Sequence, residues 1–292
     1  MNALAQLNTS EAKENFSVKQ RYQHLTTHYD AKYKAAWFLM HGEPRPCFTG
    51  TLLTDIAHFF DDVKAEHAAG LTDKYQFLVL ASDVPGVFNL GGDLNAFATA
   101  IENGDRDLLW TYATKCIDVL HRNMRHLDLP LTTIALVKGD ALGGGFESAL
   151  SSNVLIAERG TKMGLPEVLF NLFPGMGAYS LLSRKIGSSK AEQMIMSGQL
   201  YDAETLYEMG VVDILAQQGE GELAVYRYIN DAQKHWVSHR AMANVKDYCN
   251  PITEQELMDI TRIWVDSAMQ LSGRDLRMMN RLVQRQSARI AS

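Results

Sequence analysis

Cysteine is scarce in this chain: three among 292 residues, Cys47, Cys116 and Cys249, far apart and without metal-ligand spacing. So sparse and odd a count excludes a disulfide framework and fits a reducing compartment. No metal site is expected from the nine histidines: the H-x-x-x-H pairs His24/His28 and His235/His239 have no third ligand in a recognisable motif. Long apolar runs are missing too: none reaches the roughly 18 residues of a membrane span. The first twenty residues are polar with no signal core, which reads as a loose tail. Positive charge is in deficit. A net charge of −6, a pI near 5.8 and no Lys-rich helical face argue against nucleic acid and anionic membranes. Walker A spacing and the GxGxxG fingerprint are absent. The expectation is a soluble cytoplasmic protein with no membrane insertion.

What is present is an alternation of short apolar runs and amphipathic stretches. "KAAWFLMH" (34–41), "YQFLVLAS" (75–82), "TIALVKG" (133–139) and "NVLIAE" (153–158) have the branched and aromatic content of buried strands. Between the first two, Leu52, Ile56, Phe59, Phe60 and Val63 fall on one helical stripe. Alternation of this kind predicts crossover connections and a largely parallel sheet, an α/β fold. After about residue 188 the pattern turns helical, with Ser, Asp or Thr at several starts and Gly at two ends. The division expected is a tail over 1–20, an α/β core over 21–190 and a helical C-terminal region over 191–292.

The stretch "KGDALGGGFESALSSN" (138–153) sets three consecutive glycines before a glutamate in an apolar run. Strand, glycine turn and helix in that order put bare backbone at a helix N-terminus, where N–H groups lie free and an anionic oxygen can approach. An isolated glycine triplet serves a close helix–strand contact as readily. A second turn, "LASDVPGVFNLGGDLNAF" (80–97), sets Gly91 and Gly92 just past another strand end. Two such turns at the C-terminal edge of a parallel sheet can each offer one N–H to the same oxygen. Glu147 lies one turn into the helix after the glycines, and Glu167 stands in the otherwise apolar "GLPEVLFNLFPGMGAY" (164–179). Desolvation should raise a carboxyl there toward neutrality, as proton transfer requires. Either glutamate alone would ordinarily be exposed or ion-paired. Together with both turns they match chemistry at Cα and Cβ of a thioester: one carboxylate at the α-proton, two N–H groups on the enolate oxygen, the other carboxyl at a β-hydroxyl or water.

"ALGGGFE", "GLPEV" and "FPGMGAYSLLSRKIGSSKAEQMIMSGQLYDAETLYEMGVVD" resemble the corresponding elements of the crotonase (enoyl-CoA hydratase/isomerase) superfamily over about residues 75–215. "EPRPCF" (43–48), "FNLGGDL" (88–94), "LPEVLFNLFPGMGAYS" (165–180) and "ITRIWVDSAMQL…MMNRLVQRQS" (260–287) resemble, within it, the diffusible signal factor synthases of Gram-negative bacteria. The resemblance implies a crotonase-like ββα superhelix with a helical C-terminal part. It implies dehydration of a 3-hydroxyacyl group on acyl carrier protein to a cis-2-enoyl group, then thioester hydrolysis releasing a medium-chain unsaturated acid used in quorum sensing. An ordinary 2-enoyl-CoA hydratase of fatty-acid breakdown is the alternative, and a non-catalytic binding scaffold is disfavoured by retention of both glutamates.

Carried over, the oxyanion donors fall on Gly92, with Gly91 beside it, and on Gly144; the catalytic pair falls on Glu147 and Glu167. Glu167 at the α-proton and Glu147 at the hydroxyl, or the reverse, both remain open. Leu90 stands where ordinary hydratases carry a small or hydroxyl residue. Met163, Leu169, Phe173, Met176, Trp264, Met269 and Leu282 are candidates for an adaptable acyl slot, or else plain core. Lys162, Arg184 and Lys185 are candidates for contact with a CoA phosphate or an acidic carrier. No cofactor is expected beyond a substrate carried as phosphopantetheine thioester on acyl carrier protein or CoA. A homo-trimer or hexamer and a sensor-kinase regulator are partners implied by resemblance alone.

Overall fold

A computed structural model describes residues 22–288, with the side chains of 283 and 285–288 left aside; the tail expected over 1–20 lies outside the described residues. The chain opens with a hairpin, β1 (Leu25–Asp30) and β2 (Ala35–Met40), and continues through α1 (Gly50–Ala68), β3 (Phe77–Ser82), β4 (Val87–Asn89), α2 (Leu94–Glu102), α3 (Arg106–Met124) and β5 (Thr132–Val137). Next come β6 (Asp140–Leu142), α4 (Gly144–Leu150), β7 (Val154–Glu158), β8 (Lys162–Gly164), α5 (Ala178–Ile186), α6 (Ser188–Ser197), β9 (Leu200–Asp202), α7 (Ala203–Glu208) and β10 (Ile214–Ala216). Four helices close the described chain: α8 (Gly221–Lys234), α9 (Trp236–Cys249), α10 (Glu254–Ala268) and α11 (Gly273–Ala288).

Two sheets result. The larger runs β1-β2-β3-β5-β7-β10 and is parallel except for the opening hairpin; the smaller runs β4-β6-β8-β9. Every residue of β3, β5 and β7 is buried. Strands covered on both faces need continuous apolar runs rather than alternation, which is why these segments are legible in sequence. The smaller sheet was not foreseen: its strands span only three residues each, too short to show a period. It matters most for function, because β4 and β6 pair in parallel and end side by side, one in each glycine turn.

The helices follow local rules. Thr49 caps α1 by accepting from Leu52 N–H, and Leu52, Leu53, Ile56, Phe59, Phe60 and Val63 form its buried face. Asp105 likewise caps α3. The expected boundary near residue 190 does not separate two bodies. β9 and β10 lie beyond it yet join the two sheets, and Leu257, Trp264, Val265, Leu276 and Met279 of α10 and α11 share one core with Phe38, Leu78 and Phe146. Helix α9 has no buried residue, and its apolar side chains Met242, Val245 and Tyr248 face outward. No described helix is long and apolar enough to cross a membrane.

Candidate active site

The glycine turn after β4 is clamped from several sides. Asn89 Oδ1 accepts from Gly91 N–H at 2.8 Å, Phe48 N–H donates to Gly91 O at 2.8 Å, and Leu90 N–H donates to Pro46 O at 2.7 Å. The Tyr112 hydroxyl donates to Phe48 O and accepts from Asp93 N–H at 3.2 Å. Asp93 also caps α2 and pairs with Arg45 at 2.6 Å. Sequence reading missed Tyr112, Arg45 and Asp93 as positioning groups; only Asp93, next to Gly92, stands near enough to a functional glycine in sequence to be suspected.

The three glycines of the 138–153 stretch do three different things. Gly143 has φ +52°, and a Cβ there would stand 2.5 Å from Glu167 Oε1. A Cβ on Gly144 would lie 3.4 Å from Gly92 N, and one on Gly145 only 2.0 Å from Asn89 O. The β4 turn therefore rests directly on the start of α4. Gly144 is the first residue of α4, so its N–H precedes the intrahelical ladder. Among the described residues neither the Gly92 nor the Gly144 N–H donates to a protein acceptor. Two free amides on abutting turns are the geometry an oxyanion requires.

Both glutamates line the same cavity as these turns. Glu147, only 2% exposed, accepts at Oε1 from Met176 N–H (2.9 Å) and Ala178 N–H (3.0 Å), the latter opening α5. Glu167 sits on a single 3-10 turn, Pro166–Phe170; its Oε2 is buried and has no hydrogen-bond partner. Burial pushes the Glu147 carboxyl up to about 7, against the lowering effect of its two N–H donors. Burial and then the neighbouring Glu147 charge push Glu167 further, to about 8. The pair accordingly shares one proton near neutrality, with the anion favoured on the hydrogen-bonded Glu147.

A stability consequence follows from the sign of these shifts. A carboxyl raised above its unfolded value binds extra protons in the folded state, so stability falls as pH rises from the ordinary carboxylate range through the folded value. Glu167→Gln removes that penalty. Its melting temperature should match the parent near pH 4.5 and exceed it by a few degrees above pH 8, as about 1 kcal/mol is ~2–4 °C at this size. Equal melting curves across that range would show that Glu167 ionises without cost.

The cavity, of about 540 Å³, is predominantly apolar. Of the proposed acyl contacts, Leu169, Met176, Trp264 and Leu282 line it, whereas Met163, Phe173 and Met269 do not. Met163 is fully buried in β8, and Phe173 and Met269 pack on the main core. The inner walls come instead from α1 (Leu53, Ile56, Phe60) and from Tyr112, Cys116, Leu120 and Asn123 of α3. That α3 set is spaced at i, i+4, i+8 and i+11, a stripe visible in the sequence but indistinguishable there from ordinary core. Leu90, the departure from the hydratase pattern, is buried against the cavity. Trp264 lies on Gly175, where a Cβ would come within 2.2 Å of its ring. Arg184 is held by Glu256 (2.9 Å) and Pro251 O, and Lys185 by Asp213 (2.9 Å) and Val211 O, so both serve the fold; Lys162 stays exposed. Among the described residues no group of three or more His, Cys, Asp or Glu could hold a metal.

Two free amides on abutting turns and two buried carboxyls lining the same cavity form an arrangement able to stabilise an oxyanion and to move a proton beside it. A profile of the family described as Enoyl-CoA hydratase/isomerase matches residues 45–287, and the chain belongs to that family, within the crotonase superfamily. It is similar to the mitochondrial methylglutaconyl-CoA hydratase of Mus musculus, 32% identical over 181 residues covering 62% of this chain and 55% of that protein. An enoyl-CoA isomerase/hydratase of Zymoseptoria tritici is 32% identical over 161 residues, 55% of this chain and 50% of that one. The chain thus spans about half the length of the curated relatives it matches. In fold it is similar to human mitochondrial delta3-delta2-enoyl-CoA isomerase (TM-score 0.76, 18% identity, 90% of this chain and 98% of that one). Pseudomonas aeruginosa DspI gives TM-score 0.67 and 23% identity over 85% of this chain and 96% of that one.

Proposed function

We propose that this chain dehydrates a medium-chain 3-hydroxyacyl thioester on acyl carrier protein to the cis-2-enoyl thioester and then hydrolyses it to the free acid, a diffusible signal. The observation that carries the reading is the pair of buried carboxyls, raised into the neutral range, in the wall of an apolar cavity of about 540 Å³. The shared proton first passes from Glu167 to Glu147; the Glu167 carboxylate then removes the Cα proton, and the electron pair moves to the thioester oxygen, held by Gly92 and Gly144 N–H. The C3–O bond then breaks, with the Glu147 proton going to the departing hydroxyl as water. Glu147 is left as carboxylate, fixed by Met176 and Ala178 N–H. It next takes a proton from water attacking the thioester carbonyl, and returns that proton to the leaving thiolate. The same two amides serve the enolate and the tetrahedral intermediate, and one shared proton serves both steps.

Support for a carrier-bound substrate lies on α11. Its Leu282 lines the cavity while Arg274, Arg277 and Arg281, at i, i+3 and i+7, are exposed on a face beside it. A basic stripe on a helix that also lines the cavity suits an acidic carrier. A trimer or hexamer fits α9, where Met242, Val245 and Tyr248 expose an unpartnered apolar face. A second reading, hydration of a 2-enoyl-CoA, is favoured by the methylglutaconyl-CoA hydratase similarity and is the reverse of the same first step.

The discriminating experiment supplies purified protein with 3-hydroxydodecanoyl carrier protein or with crotonyl-CoA and identifies products by mass spectrometry. Release of a free cis-2-enoic acid from the carrier is expected, with crotonyl-CoA turned over poorly. Replacing Arg274, Arg277 and Arg281 by Glu should slow the carrier substrate at least tenfold and leave a pantetheine thioester unaffected. Efficient hydration of crotonyl-CoA without free-acid release would establish the second reading.

A further inference from the structure

Asn123 stands out within the apolar arm of the cavity. It is 4% exposed, lines the cavity from the last turn of α3, and its Oδ1 is buried without a hydrogen-bond partner. Its Nδ2 donates to Ser151 Oγ at 2.9 Å and to Ser152 Oγ at 3.0 Å. Ser151 Oγ in turn donates to Ser148 O at 2.7 Å. That serine hydrogen is committed, which favours the amide nitrogen, not its oxygen, on the side of Ser151. Ser148 and Ser151 line the cavity beside it. A polar group left unpaired in so apolar a space is costly, and a bound partner relieves the cost.

Helix α4 supplies a ruler. Gly144, the proposed oxyanion donor, opens it, and Ser151 follows seven residues later, roughly 10 Å along the axis at about 1.5 Å per residue. An extended chain advances roughly 1.2 Å per bond, since three backbone bonds span about 3.3–3.6 Å. The Asn123 site therefore lies about eight bonds from a thioester carbonyl held at Gly144.

We propose that Asn123 is a specificity-determining residue for the acyl tail: its Oδ1 accepts a hydrogen bond from a chain hydroxyl about eight bonds from the carbonyl, and it disfavours an unsubstituted chain running past that point. This rests on the reading of the cavity as an acyl site, though not on the reaction performed there. Glu147 and Glu167 have no part in the contact.

The test is calorimetric binding to the full chain of two series, straight-chain acids of six to twelve carbons and their ω-hydroxy counterparts. In a purely apolar arm the hydroxyl weakens binding at every length. Here the ratio of ω-hydroxy to parent affinity should pass through a maximum at about eight to ten carbons, at least tenfold above its value at six or twelve. In Asn123→Leu the maximum should vanish and the longer parent acids should bind about tenfold tighter. The unmodified protein alone decides the matter if that variant does not fold. A ratio without a maximum, or a maximum surviving in Asn123→Leu, overturns the proposal while leaving the acyl site standing. If no acid of either series binds, the acyl reading of the cavity fails and this inference with it.

Discussion

Glu167→Gln is expected to lower turnover of a 3-hydroxyacyl thioester by 10²–10⁴-fold while leaving its binding nearly unchanged, the range that loss of a positioned acid or base produces. Gln keeps the shape and neutrality of the protonated carboxyl, so the cavity and the 3-10 turn carrying it persist. What disappears is a group able to exchange a proton with Cα. Glu147→Gln should cost as much in dehydration, and more in any hydrolytic step, because it removes the carboxylate that activates water. The two variants differ in a further respect. The Glu147 charge is one cause of the raised Glu167 carboxyl, so Glu147→Gln should move the Glu167 titration down, while burial keeps it above the ordinary range. The parent should give a bell-shaped pH–rate profile centred near neutrality, as one proton on two carboxyls requires, with both limbs above the usual carboxylate range. Each variant should keep a single limb. Stopped assays across pH 5–10 check this, and either variant keeping full activity would remove the carboxyl pair from the mechanism.

How much of this could be read from the sequence differs by element for physical reasons. β2, β3, β5 and β7 were legible because strands buried on both faces must be apolar throughout. The glycine turns and the two glutamates were legible because each breaks its surroundings: bare backbone at strand ends, a charge in an apolar run. The smaller sheet was not, since three-residue strands carry no period, yet its β4–β6 pairing is what brings the turns together. The acyl slot was only half legible. Of the seven residues named for it, Leu169, Met176, Trp264 and Leu282 line the cavity, but the wall from α1 and α3 looks like any core stripe until the cavity is seen. Asn123 is a single amide in an amphipathic helix, and only its missing partner distinguishes it.

Gly91→Ala should reduce kcat by about 10²–10³-fold, the cost of losing one oxyanion donor, with a smaller change in KM. Gly91 sits at φ +96°, a conformation in which a side chain is strained. A Cβ there would also stand 2.8 Å from Leu142 O and 3.1 Å from Gly144 N. Both neighbours are backbone atoms in β6 and α4 and cannot swing aside. The β4 turn must therefore lift from the start of α4, and the Gly92 and Gly144 amides separate. Backbone strain alone is isolated by Gly70→Ala, which has φ +94° and nothing within 4 Å of the new Cβ. That control should lose a few degrees of melting temperature and no activity, as strain of about 1 kcal/mol implies. If Gly91→Ala behaves like Gly70→Ala, losing stability but keeping kcat within tenfold, then the two turns do not act on a common oxygen. The carboxyls would in that case have to perform their proton transfers on a carbonyl the protein leaves unsupported.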